Sequence, residues 1–176
     1  MNRIPTHTVE NAPNAARALL QAIAQSSPTG HPLNLHAQMA NSPAVLAAYT
    51  SLRAVTAEHA TLDQKVSWAL NLATAATIGN AYMTAIASRF ARMNGWNDAE
   101  IDALRTGATT GDTRIDALTH VVREAAANSG SVTDSTWNAA WQAGWSDEHL
   151  TEAFAFLGLT MFTGYFLNYA QTDKDI

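Results

Sequence analysis

An all-α fold follows from three features of this sequence. Apolar residues recur with a helical period along nearly the whole chain, and no strand-like alternation rises above the background. Glycine- and proline-containing segments punctuate that pattern at helix-length intervals. At 176 residues the chain is long enough to bury a substantial core, so a single domain over 1–176 is expected, with 171–176 as a flexible tail. About seven to eight helices are expected.

The elements follow in order. Asn11-Ala12-Pro13 opens a helix to about Gln25, with Leu19, Leu20 and Ile23 as its apolar stripe, and Pro28-Thr29-Gly30-His31-Pro32 breaks it. A short segment, 33–40, follows. Ser42-Pro43 places a capping hydroxyl before a proline at the first helical position, starting a helix to about His59. Residues 62–94 read as two helices, or one bent helix, with the break near Gly79-Asn80. Further helices are expected over 98–105, 113–128, 135–143 and 147–170. Residues 107–112 and Ser129-Gly130-Ser131 read as polar loops.

One local pattern occurs twice. Asn94-Gly95-Trp96-Asn97-Asp98-Ala99-Glu100-Ile101 parallels Ala143-Gly144-Trp145-Ser146-Asp147-Glu148-His149-Leu150. In each, glycine ends one helix and Asn97 or Ser146 caps the next. Trp96 with Ile101, and Trp145 with Leu150, hold the two positions of a hydrophobic staple. Glu100 completes a capping box with Asn97, whereas His149 is not expected to do so for Ser146. Both tryptophans are read as fixing helix angles rather than recognising a ligand.

Composition narrows the function. Charged residues make up 14% of the chain, against about 25% in typical soluble domains. So little charge covers a monomer's surface poorly, which favours buried subunit contacts. A net charge of −5 and no run of Lys or Arg argue against a nucleic-acid partner. The N-terminal segment lacks an apolar core, and the apolar stretch 153–167 is short of a membrane span. A cytoplasmic protein with no membrane partner is therefore expected. There is no cysteine, which rules out disulfides and thiolate metal sites.

The centre of the chain carries the most specific pattern. Leu62-Asp63-Gln64-Lys65-Val66-Ser67-Trp68, then Thr77-Ile78-Gly79-Asn80-Ala81-Tyr82-Met83-Thr84-Ala85-Ile86-Ala87, resembles the alkylhydroperoxidase D-like and carboxymuconolactone decarboxylase superfamily. Tyr82 matches a tyrosine often found inside that family's cysteine pair. Ala91, Arg92, Gly95, Asp98, Glu100 and Ile101 match the segment that follows. Upstream, Asn41-Ser42-Pro43-Ala44-Val45-Leu46-Ala47-Ala48-Tyr49 is similar to a family helix. So is Phe162-Thr163-Gly164-Tyr165-Phe166-Leu167-Asn168 near the end, where an asparagine often replaces Gly164. The likeness spans most of the chain after residue 30. It implies an alkylhydroperoxidase D-like orthogonal helical array and a homo-oligomer.

Redox members of that family carry a glutamate, a Cys-x-x-Cys twelve residues later, and a histidine four residues beyond the second cysteine. Here Trp68 stands at the glutamate, Asn80 and Met83 at the cysteines, and Ala87 at the histidine. Peroxide reduction needs a thiolate to attack oxygen and a second thiol to resolve the sulfenic acid. Asn80 offers no comparable nucleophile, and Met83 cannot turn over without a neighbouring thiol. Asn80 is instead a natural helix cap after Gly79. No cofactor is implied.

These substitutions leave two readings of the site. Trp68, Leu72, Ala75 and Ala76 share one helical face, and Asn80, Met83 and Ala87 share another. The indole either fills the old cavity, which close packing favours, or lines a ligand pocket. Such a pocket would be formed by Trp68, Leu72, Asn80, Tyr82, Met83 and Ala87, and would take a small apolar or aromatic molecule.

Other candidates are weaker. His7, His31, His36, His59, His120 and His149 form no metal-ligand spacing and read as surface or capping residues; no metal is expected. Asp112, Asp116 and Glu124 read as a solvated helix face. The expected function is a catalytically silent protein that binds a small apolar ligand or serves in assembly. A cofactor-free decarboxylase-type enzyme is an alternative, with His36, Glu58, His59 and Tyr82 as the acid/base suppliers. Family-level peroxidase or antioxidant activity is the third reading.

Overall fold

A computed structural model describes residues 2–27 and 29–176. Pro28, placed in the first helix break, lies outside the described residues, as does Met1. The described residues form nine helices and no strands: α1 (Asn14–Ser26), α2 (Asn34–Met39), α3 (Pro43–His59), α4 (Gln64–Thr77), α5 (Ala81–Met93), α6 (Asp98–Thr106), α7 (Thr113–Ala127), α8 (Asp134–Gln142) and α9 (Asp147–Ala170). The expected seven or eight becomes nine through the six-residue α2.

The chain divides into two compact units, one holding residues up to Val55 with Tyr165–Ile176, the other Thr56–Gly164. In the first, α1 buries Ala16, Leu20 and Ala24, so its apolar stripe is centred one residue away from the expected Leu19 and Ile23. The segment 171–176, expected to be loose, is hydrogen-bonded. The Asp175 carboxylate accepts from the Asn34 backbone N–H at 2.7 Å, Asn34 Nδ2 donates to Asp173 O at 3.0 Å, and the Thr172 hydroxyl bonds Gln38.

The second unit contains two helical triplets built alike, α4–α5–α6 and α7–α8 with α9 up to Gly164. Asp63 caps α4 through Val66 N, and Asp112 caps α7 through Arg114 N and Ile115 N. Trp96 Nε1 donates to Lys65 O at 2.8 Å, and Trp145 Nε1 donates to Arg114 O at 2.7 Å. Both bonds join residues 31 positions apart. In each triplet the same basic residue lays its cation over the indole, Lys65 at 4.5 Å and Arg114 at 3.9 Å from the ring. Each second-triplet residue follows its counterpart by 49 positions (Lys65 to Arg114, Trp96 to Trp145). The twin Gly-Trp pattern is therefore the visible part of a longer structural repeat.

Two expectations about caps resolve differently. Glu100 closes the capping box on Asn97 as expected. His149, expected to leave the second box open, closes it: its Nδ1 lies 3.3 Å from Ser146 N and 2.9 Å from Ser146 Oγ, while His149 N donates to that oxygen. An imidazole nitrogen can accept as a carboxylate does, provided the other nitrogen holds the proton. At 24 residues α9 is long and apolar enough to cross a membrane by length and composition, and close to half of its apolar window is buried within the protein.

Candidate functional site

The site is built on the turn between α4 and α5. Gly79 sits at φ +66°, a left-handed conformation that stops α4 and redirects the chain. Asn80 then caps α5: its Oδ1 accepts from Met83 N at 2.7 Å. Its Nδ2 donates to Gly164 O in α9 at 2.9 Å. Asn80 is only 2% exposed, so these bonds satisfy an amide that would otherwise be costly to bury. Asn80 thus ties the start of α5 to α9.

Gly164 eases that approach. A Cβ there would meet Ile78 Cδ1 at 2.5 Å and Asn80 Cβ at 3.6 Å. A larger residue at this position would need the Ile78 side chain to move.

Trp68 lies on α4, half-buried against the main core cluster, which includes Ala87 and Leu72. Its indole stacks on Phe90 of α5, with ring centroids 4.5 Å apart and an interplanar angle of 10°. Phe90 lies one turn past Ala87 on the stripe that runs through Met83, and it remains 37% exposed. Sequence reasoning missed Phe90, although extending the i, i+3, i+7 series by one step reaches it. Tyr82, Met83, Ala87 and Leu72 are all buried. Of the six proposed lining residues, only Trp68 keeps substantial exposure.

Further braces position α4 within its unit. Glu152 of α9 accepts from Thr61 N at 2.8 Å, Thr61 Oγ1 at 2.6 Å and Leu62 N at 2.9 Å. Burial works against the Glu152 charge, but the donated hydrogen bonds prevail and hold its carboxyl below the usual range. Thr160 of α9 donates to Asn71 of α4 at 2.9 Å in a buried pair.

The acid/base candidates differ in burial. Glu58 and His59 are exposed at the end of α3. His36, expected at the surface or in a cap, is 8% exposed. Its Nε2 lies 3.4 Å from the Tyr49 hydroxyl, and its Nδ1 has no hydrogen-bond partner. Burial, with a smaller push from Arg53, lowers the imidazole pKa to about 4 and favours the neutral ring. Burial also raises the Tyr49 pKa. Among the described residues no three His, Asp or Glu side chains cluster as metal ligands would.

Asp112, Asp116 and Glu124 are not a merely solvated face. Asp112 caps α7, Asp116 accepts from Thr109 and Thr110, and Glu124 accepts from Thr133 N at 3.0 Å.

Similar solved structures share this arrangement of helices. A cysteine-to-alanine variant of the debrominase Bmp8, in complex with 2,3,4-tribromopyrrole, superposes with a TM-score of 0.81 at 13% identity, covering 99% of this chain and 92% of that one. An alkylhydroperoxidase AhpD core protein, an uncharacterized peroxidase-related protein from Ralstonia eutropha, gives 0.83 at 15% identity with the same coverage. The chain has the alkylhydroperoxidase fold. A peroxidase-related protein from a Silicibacter species gives 0.78 at 11% identity, covering 98% and 94%. No protein-family profile and no curated protein matches the sequence. Within this alkylhydroperoxidase fold, the thiol positions inferred from the sequence fall at the α4–α5 turn and on the first turn of α5.

Proposed function

We propose that this protein uses the alkylhydroperoxidase fold without thiol chemistry, to bind a small apolar or aromatic molecule at the α4–α5 face. The observation that carries this reading is the Trp68–Phe90 stack. Two parallel rings, one half-buried and one 37% exposed, present a flat apolar surface where the family glutamate would stand. A planar molecule adds to such a stack with little cost in conformational entropy, because both rings are already held. The debrominase of this fold holds a brominated pyrrole, which lends support to an aromatic ligand here.

Catalytic silence rests on chemistry. There is no thiol in the chain, and Asn80 spends its amide on Met83 N and Gly164 O. Peroxide consumption with dithiothreitol as reductant is expected to stay at the protein-free rate. Catalysed turnover would overturn this part of the reading. For binding, a series of planar aromatics, from pyrrole to halogenated phenols, is titrated against tryptophan fluorescence. The chain holds five tryptophans, so Trp68→Phe serves as the control. A saturable response lost in that variant supports the site, and a flat response in the native protein removes it.

Self-assembly is the second reading. Phe154 is 67% exposed and Trp141 54% exposed, in a chain with only 14% charged residues. Apolar surface of that kind is commonly covered by a second subunit. Light scattering during size exclusion at micromolar concentration decides it: a dimer or larger species is expected, and a strict monomer would exclude it.

A further inference from the structure

A cavity lies in the unit Thr56–Gly164, lined by none of the residues of the α4–α5 face. Its volume is about 340 Å³, and its walls come from the end of α6, the loop 107–109 and one face of α7. Leu104 and Ala117 supply apolar wall; Asp116, His120 and Arg123 supply the polar edge. These three share one helical face, spaced i, i+4 and i+7, so its carboxylate and guanidinium are carried by positions about 10 Å apart along the axis.

Arg123 is half-buried without a counter-ion. It donates to Thr77 Oγ1 at 3.1 Å and to the Leu104 carbonyl. The planar fork carries five N–H groups, so three are not used by these bonds. Among the described residues no carboxylate lies within ion-pair distance of it. Burial alone lowers its pKa, the mark of a charge taken from water without a matching anion. Bonds to the Thr77 hydroxyl and to a carbonyl at the end of α6 account for two N–H groups but not for the cavity beside them.

Asp116 sits at the other end. Its Oδ1 accepts from Thr110 N at 2.9 Å and Thr110 Oγ1 at 2.7 Å, and its Oδ2 accepts from Thr109 Oγ1 at 2.6 Å. A carboxylate offers about four lone-pair sites, so capacity for one more donor remains. A simple anion in this cavity meets repulsion from Asp116, and a simple cation meets it from Arg123. A molecule carrying both charges, separated by a short apolar chain, meets neither.

We propose that this cavity is a binding site for a linear amino-carboxylate, its carboxylate on Arg123 and its ammonium on Asp116, with Leu104 and Ala117 against the chain. Charge-assisted contacts at both ends are the strong kind and fix the ligand's direction.

Calorimetric titration of the full chain with 6-aminohexanoate, against hexanoate and hexylamine, tests it. The doubly charged ligand is expected to bind roughly tenfold or more tightly than either control, an advantage lost in Arg123→Gln and in Asp116→Asn. Arg123 also supports the fold, so Ala108→Phe provides a second route: it fills the mouth from an exposed loop and touches neither charge. That variant is expected to melt like the native protein and to lose binding. Trp68→Phe is expected to leave binding unchanged, which separates this site from the α4–α5 face. No saturable heat with 6-aminohexanoate, equal affinity for the controls, or unaltered binding in Ala108→Phe would each overturn the proposal.

Discussion

At the scale of single residues, His36 and Asn80 show how burial converts a polar side chain into a structural commitment. His36 is neutral in the folded protein because its pKa is lowered from 6.5 to about 4. The sign follows: a depressed folded pKa means stability is fully present above the unfolded value and is lost as pH falls toward the folded one. Between pH 6.5 and 4 the unfolded chain takes up a proton that the native ring refuses, and the loss amounts to about 3 kcal/mol when complete. Denaturant melts across that window are expected to show this slope, and His36→Leu is expected to flatten it. An identical slope in the variant would assign the effect elsewhere. For Asn80→Ala, loss of the cap and of the Gly164 bond is expected to cost about 1–3 kcal/mol, measured by thermal unfolding. Asn80 was legible in the sequence because Gly79 and the cap position are local signals. His36 was not: a six-residue helix is too short for periodicity to reveal which side faces inward.

At the scale of elements, helix ends were the most legible feature. The break at Gly79-Asn80, the Asn97 capping box and the start of α3 at Pro43 all depend on residues within one turn of each other. The function of Trp96 and Trp145 was half legible. Their staple positions are local, but their N–H bonds reach carbonyls 31 residues back. That distance makes each tryptophan a clasp between the first and third helices of its triplet. Trp96→Phe and Trp145→Phe keep the aromatic packing and remove the indole N–H that bonds the first helix of the triplet. Each is expected to lower stability by about 1–2 kcal/mol. Because the clasps share no partner, the double variant is expected to lose the sum to within about 0.5 kcal/mol, read from chemical denaturation.

At the scale of the whole molecule, the fold is shared far beyond sequence identity. Structures at 13–15% identity superpose on this chain over 99% of its length, since a helical array needs only its apolar pattern and breaks to be retained. The family reaction needs four particular side chains in one place. Reinstating the thiols alone, as Asn80→Cys with Met83→Cys, is expected to give a titratable thiol pair but little peroxide turnover. Trp68 and Ala87 leave the pair without proton carriers. Peroxide consumption measured with and without added Trp68→Glu and Ala87→His checks this, and full turnover from the cysteines alone would contradict it.

The helices, most of their caps and the absence of any thiol were set by the sequence itself, because periodicity, capping and residue identity are properties of near neighbours along the chain. The stack of Trp68 on Phe90, the burial of His36, the closeness of Gly164 to Ile78 and the cavity beneath Arg123 were decided by tertiary structure alone. Each depends on which helix face meets which at a separation of many residues, and packing free energy, not local propensity, makes that choice.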